Sequence, residues 1–188
     1  MRIFPECAER PAGSHLMEFP EDGLWFIGRI SRKLIARNMF LGIAESCTGG
    51  LASVLCTNVP GSSGWFCGGV VTYADILKTS LLNVSRDLLK QHGAVSGPVV
   101  EAMAAGVLQA TGASAGLAIS GVAGPGGGTP EKPVGTVWIA TAVCLPFAPG
   151  QKADGPVIAS VRHHFSGHRE DIRIKAALAA LKALDEAI

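Results

Sequence analysis

An apolar run from Met39 to Ala44 meets a short polar turn, Glu45-Ser46-Cys47-Thr48-Gly49-Gly50, and apolar residues resume at helical spacing at Leu51, Ala52, Val54 and Leu55. The pattern predicts a buried strand passing through a tight glycine turn into a helix that begins between Thr48 and Gly50. The first N–H groups of a helix lack partners within it, and two glycines leave those donors uncovered. An anion or a developing oxyanion is therefore expected at Thr48, Gly49 and Gly50, with Ser46 and Cys47 at the lip. The same residues also suit a plain tight turn in which Ser46 only caps the helix.

The remaining chain alternates in the same way. From Asp22 to Arg37, Leu24, Ile27, Ile30 and Leu34 recur three and four apart, with Arg29, Arg32, Lys33 and Arg37 opposite, which predicts an amphipathic helix. Further strands are expected over 65–73, 115–120, 134–143 and 157–165, and helices over 74–82, 85–93, 96–111 and 167–187. Ile172, Ala176, Ala179 and Leu184 should face inward on the last helix. Gly68 and Gly69 inside the second strand signal a bulge or the close approach of another backbone or a ligand. The proline- and glycine-rich stretch 146–156 reads as a solvent connection.

Strands alternating with helices predict an α/β fold, a three-layer α/β/α sandwich around a mostly parallel central sheet of about five strands. Ligands in such folds sit beyond the carboxyl ends of the strands. Ser46, Tyr73, the glycine loop after Ser120 and Arg169 then surround one cleft, provided their strands run the same way. The loop 121–133 fits neither G-x-x-x-x-G-K-[ST] nor G-x-G-x-x-G.

With 188 residues, the chain is read as one domain over 22–188. Residues 1–21 form an N-terminal extension with prolines and no apolar core of a secretory signal, and Gly13 to Met17 reads equally well as a cloning remnant. Apolar residues make up 48% and charged residues 16%. No stretch reaches the roughly 18 continuous apolar residues of a spanning helix, so no membrane is expected. The apolar excess is assigned to a sheet covered on both faces and to a homo-oligomer interface. A net charge of +1 without a long basic run speaks against nucleic acid and for a small-molecule partner. Five cysteines without C-x-x-C spacing indicate a reducing, cytoplasmic setting. His163, His164 and His168 have no carboxylate or cysteine partner at metal-ligand spacing, so neither metal nor cofactor is expected.

A serine hydroxyl attacks only when a neighbouring base takes its proton. Neither G-x-S-x-G nor S-x-x-K is present. Lys78, five residues after Tyr73 in a weakly charged stretch, is a candidate base: burial would make its neutral amine available. The alternative is a solvated helix lysine.

Several blocks together resemble the CinA C-terminal domain family: Ala44-Glu45-Ser46-Cys47-Thr48-Gly49-Gly50, Val59-Pro60-Gly61-Ser62-Ser63, Gly68-Gly69-Val70-Val71-Thr72-Tyr73 with Lys78, His92-Gly93-Ala94-Val95-Ser96, Ser120 to Gly128, and Lys132 to Val137. The resemblance runs from Asp22 to the C-terminus and is to the stand-alone form of the domain. It implies a nicotinamide mononucleotide deamidase of pyridine nucleotide salvage, releasing nicotinate mononucleotide and ammonia without a metal. It further implies Ser46 as nucleophile, Lys78 as base and Tyr73 as proton relay. On that mechanism the N–H groups of Thr48, Gly49 and Gly50 are expected to hold the oxyanion, and Thr48, Gly121, Gly126, Gly127, Gly128 and Arg169 are candidates for substrate contacts, Arg169 for the phosphate. This chain departs from the family in having Ala74-Asp75 where Ser-Asn is frequent, and Gly167-His168-Arg169 where Gly-Asp-Arg is frequent. Asp75 sets a negative charge near Lys78, which favours the charged amine and opposes its use as a base. Two rival readings are a non-catalytic nucleotide-binding or regulatory module and a thiol hydrolase using Cys47 at a helix N-terminus.

Overall fold

Large and small residues alternate along the central strands, and this decides how closely each helical layer can approach. Strand β1 (Leu41–Glu45) turns Leu41 and Ile43 to one side and Gly42 and Ala44 to the other. Strand β3 (Ala115–Gly121) repeats the pattern with Leu117 and Ile119 against Gly116 and Ala118, and β4 (Thr136–Val143) with Val137 and Ile139 against Ala140 and Ala142. The computed structural model describes residues 21–144 and 155–188. The readings made for 1–20 and 146–154 lie outside the described residues, and Glu21, assigned to the extension, already belongs to the first helix.

With β2 (Phe66–Val71) and β5 (Val157–His164) the sheet has the order β2-β1-β3-β4-β5. β1 is parallel to β2 and β3, whereas β4 is antiparallel to both β3 and β5. Four strands therefore share one direction and β4 alone runs against them. Helices α1 (Glu21–Ala36), α2 (Leu51–Thr57) and α6 (Arg169–Ala187) cover the face of large side chains. Helix α5 (Gly97–Thr111) lies on the small-residue face, with α3 (Asp75–Leu82) and α4 (Arg86–His92) packed against it. The three-layer α/β/α arrangement matches the expectation from sequence.

A Cβ on Gly116 would lie 2.6 Å from the Ala104 carbonyl of α5, so this face must be small for α5 to seat. Helix α3 sits as tightly on α5, where a Cβ on Gly106 would collide with the Leu82 carbonyl. In β2 the expected bulge is present, the register slipping between Phe66 and Gly68, whereas the neighbour that needs the space at Gly69 is the side chain of Ser53 on α2 and not a backbone or ligand. Ser85 caps α4 by accepting from the N–H groups of Asp87 and Leu88.

Two expectations are corrected on α1. Leu24 is 40% exposed, because the buried stripe runs Gly23, Ile27, Ile30, Leu34 and the glycine seats against Leu178 and Leu55. Arg29 and Lys33 are not simply solvated, since both pair with the buried carboxylate of Asp185 on α6. Among the described residues no helix is long and apolar enough to cross a membrane.

Gly106→Ala overpacks the α3–α5 contact and is expected to destabilise the protein by about 1–3 kcal/mol. Gly28→Ala, where an added Cβ meets nothing within 4 Å, is expected to stabilise α1 by about 0.5–1 kcal/mol. Urea denaturation midpoints of the two variants against the parent check both signs.

Candidate active site

The turn after β1 is built around a buried carboxylate. Glu45, the last residue of β1, is wholly buried, and its Oε2 accepts from the N–H groups of Gly50 at 3.0 Å and Ala52 at 3.2 Å. Its Oε1 accepts from the N–H of Ser53 at 2.9 Å and the Ser53 hydroxyl at 2.7 Å. Helix α2 starts at Leu51, with Gly50 as its N-cap. Gly49 and Gly50 have φ of 61° and 100°, left-handed values outside a helix and suited to glycine. The Gly49 N–H is given to the Ser46 carbonyl at 3.1 Å. The expected open anion site at Gly49 and Gly50 is therefore corrected: the protein's own carbonyl and carboxylate have taken those donors. Ser46 does not cap α2 either. Arg173 holds the turn from the other side, donating from Nη2 to the Thr48 carbonyl at 2.8 Å.

Beyond the carboxyl ends of the strands lies a cleft of about 220 Å³. Ser46, Tyr73, Asp75, Lys78 and Arg169 bring it polar groups, and Gly121 with Ala94 and Val95 form its walls. These residues meet because β1, β2, β3 and β5 point to the same end of the sheet. Lys78 is 1% exposed, which excludes the solvated helix lysine. Its Nζ donates to the carbonyls of Thr72 at 3.0 Å and Tyr73 at 3.2 Å and to Asp75 Oδ1 at 3.1 Å. Two of these acceptors are backbone atoms fixed at the end of β2. The third belongs to a side chain that is 60% exposed.

Tyr73 is 59% exposed at the mouth, and its hydroxyl oxygen accepts from Arg169 Nη2 at 3.2 Å. Arg169 Nη1 donates to the Gly124 carbonyl at 2.7 Å, so this arginine bridges the tyrosine and the glycine loop. Lys132 ties the same loop to the His92 carbonyl at 2.6 Å, and the Ser120 hydroxyl donates to the Ala94 carbonyl at 2.8 Å.

Of the residues singled out in the sequence, Ser46, Tyr73, Lys78, Gly121 and Arg169 share the cleft. Thr48, Gly49, Gly50, Gly126, Gly127 and Gly128 do not line it. Thr48 is wholly buried, and Gly126, Gly127 and Gly128 are exposed on the loop, although a Cβ on Gly128 would meet the Val134 nitrogen at 2.8 Å. Glu45 and Arg173 were missed. Arg173 carries a readable signal, one helical turn after Arg169 on the same face of α6.

Cys47 also borders the cleft, but burial pushes its thiol up to about 12. The thiol hydrolase reading needs an acidified thiolate, and the α2 amides that would acidify it are bound to Glu45. Among the described residues no group of three or more His, Cys, Asp or Glu side chains is placed to hold a metal ion.

A buried lysine, a tyrosine and a serine gathered at the strand ends define an α/β/α domain with a polar small-molecule cleft. The chain belongs to the CinA C-terminal domain family, whose model matches residues 26–188. Over 153 residues it is 46% identical to the nicotinamide-nucleotide amidohydrolase PncC of Enterobacter agglomerans, covering 81% of this chain and 87% of that protein. Over 172 residues it is 43% identical to a CinA-like protein of Desulfotalea psychrophila, covering 92% of this chain and only 38% of the relative. The chain thus spans well under half of that longer relative. The competence/damage inducible protein CihA of Agrobacterium tumefaciens superposes with a TM-score of 0.82 at 34% identity, over 92% of this chain and 99% of that one.

On iodoacetamide treatment of the native protein near neutral pH, exposed Cys67 is expected to be alkylated while Cys47 and Cys56 stay unmodified until unfolding. Peptide mass spectrometry checks this, and modification of Cys47 as fast as Cys67 would restore the thiolate reading.

Proposed function

We propose that this chain hydrolyses the carboxamide of nicotinamide mononucleotide to nicotinate mononucleotide and ammonia, a step of pyridine nucleotide salvage. The observation that carries the reading is a buried Lys78 on the cleft that Ser46 borders. It is supported by the likeness to an amidohydrolase over most of that protein's length.

Ser46 attacks the amide carbon, and its proton passes to Lys78 directly or through Tyr73. The tetrahedral intermediate expels ammonia, which takes the proton back, and water then cleaves the acyl-serine to free the acid. A neutral lysine has two N–H groups and one lone pair. The Thr72 and Tyr73 carbonyls take both N–H groups, and the lone pair points where Asp75 now binds. Asp75, exposed and free to swing, is the contact that opens. Arg169 keeps the Tyr73 oxygen occupied as an acceptor, so the tyrosine proton remains available for transfer. The same guanidinium meets the phosphate when it turns from the Gly124 carbonyl, which frees the loop carrying Gly126, Gly127 and Gly128 to offer its backbone to the nucleotide. A pure binding module needs no buried amine beside a serine, so the non-catalytic reading is the weaker one.

The purified protein is expected to release ammonia from nicotinamide mononucleotide, and Ser46→Ala to lose at least about a thousandfold in kcat. Lys78→Met should lose on the order of a hundredfold or more. Asp75→Asn weakens the contact that occupies the third position on the Lys78 amine and is expected to raise kcat several-fold. A Ser46→Ala protein as active as the parent overturns the reading.

A further inference from the structure

We propose that Glu45 is a positioning residue for Ser46, acting as a clamp that fixes the turn from which the serine works. The inference rests on the reading of Ser46 as the attacking group. Its starting point is a mismatch: a glutamate side chain lies wholly inside the core, and all four of its hydrogen-bond partners are N–H or O–H groups of the first residues of α2 and its cap.

The backbone of Glu45 is tied to both neighbouring strands. Its carbonyl accepts from the Thr72 N–H at 2.8 Å, and the following Ser46 N–H is given to the Ile119 carbonyl at 3.0 Å, which locks the strand end to β2 and β3. From that fixed point the carboxylate draws in Gly50, Ala52 and Ser53 and closes a ring over residues 45–50. Within the ring, the Thr48 carbonyl is held by Arg173 and the Gly49 N–H by the Ser46 carbonyl. The Ser46 side chain is thus aimed by a loop that has lost its freedom at both ends. The same glutamate reaches the amine: its carbonyl holds Thr72, whose own carbonyl holds Lys78 Nζ. Serine and lysine are registered to each other through one residue.

Glutamine in this place has one acceptor oxygen, and its NH₂ would face N–H donors on the other side. Glu45→Gln is therefore expected to fold, loosen the turn and lower kcat for ammonia release about 10- to 100-fold with KM within about twofold. Cys47, inside the ring, is expected to become several-fold more reactive toward iodoacetamide in the native state. A role confined to stability would lower the melting temperature while leaving kcat of the folded enzyme and Cys47 protection unchanged, and that result overturns the proposal. Ser53→Ala removes one of the four bonds and decides the matter in the same two measurements, at smaller amplitude, if Glu45→Gln does not fold. Ser46→Ala is assayed alongside. Should it stay active, the hydrolase reading fails, while Cys47 protection still decides the clamp: unchanged protection overturns it and increased alkylation supports it.

Discussion

The close seating of α5 on a face of glycine and alanine is the constraint on which the geometry of the cleft depends. Gly42, Ala44, Gly116, Ala118, Ala140 and Ala142 keep the middle of that side shallow, while Trp138 stands against Gly97 at the start of α5. Val99, Val100, Met103 and Val107 of α5 then fill the space with their own bulk, each contributing about 1.5–3 kcal/mol by burial. Helix α3 registers against α5 at Gly106 and Leu82, so its height above the sheet is inherited from α5. Lys78 is on α3, and its amine reaches the Thr72 and Tyr73 carbonyls only from that height. A larger residue at Gly116 or Gly106 would lift the layer and withdraw the amine from the strand ends.

The alternation in the sequence carried most of this, although in a form that apolar counting does not separate. Both faces of the central strands are buried, so the periodicity of two is in volume and not in polarity. The element order and the gathering of Ser46, Tyr73, the loop after Ser120 and Arg169 could be read from strand ends, given strands of one direction, whereas Lys78 was singled out by its weakly charged surroundings and by the family resemblance. The reversal of β4 has its physical cause in the connection: β3 and β4 are joined by a glycine loop with no helix, and a parallel pair needs a crossover. Because β5 reverses again, its carboxyl end returns to the cleft and delivers Arg169.

What was not legible has a common origin in groups whose role is set by tertiary closure. Gly23 takes the place assigned to Leu24 because a residue without a side chain scores as no part of an apolar stripe, yet permits the contact with α6. Glu45 ends an apolar strand and reads as the start of a polar loop. Only the return of α2 over the strand end shows that the carboxylate points inward, where helix N–H donors replace the water it gave up. The glycines that suggested an open anion site serve instead to let the chain double back onto that carboxylate.

The cationic groups of the cleft are already engaged. Lys78 has three acceptors, Arg169 holds a phenol and a carbonyl, and Ser120 is given to Ala94. A ligand that binds either cation must therefore exchange with an existing partner, and the partners differ in how easily they yield. The carbonyls of Thr72 and Tyr73 are fixed by the backbone at the end of β2, and desolvated contacts of this kind are costly to break. Asp75 is open to water and regains hydration on leaving, so the cost of parting falls on the buried amine, which keeps its two carbonyl acceptors. Arg169 is exposed as well and keeps its charge whichever partner it holds. Ligand entry is thus steered toward displacing Asp75 and one of the two Arg169 contacts, and away from the fixed carbonyls that hold the amine.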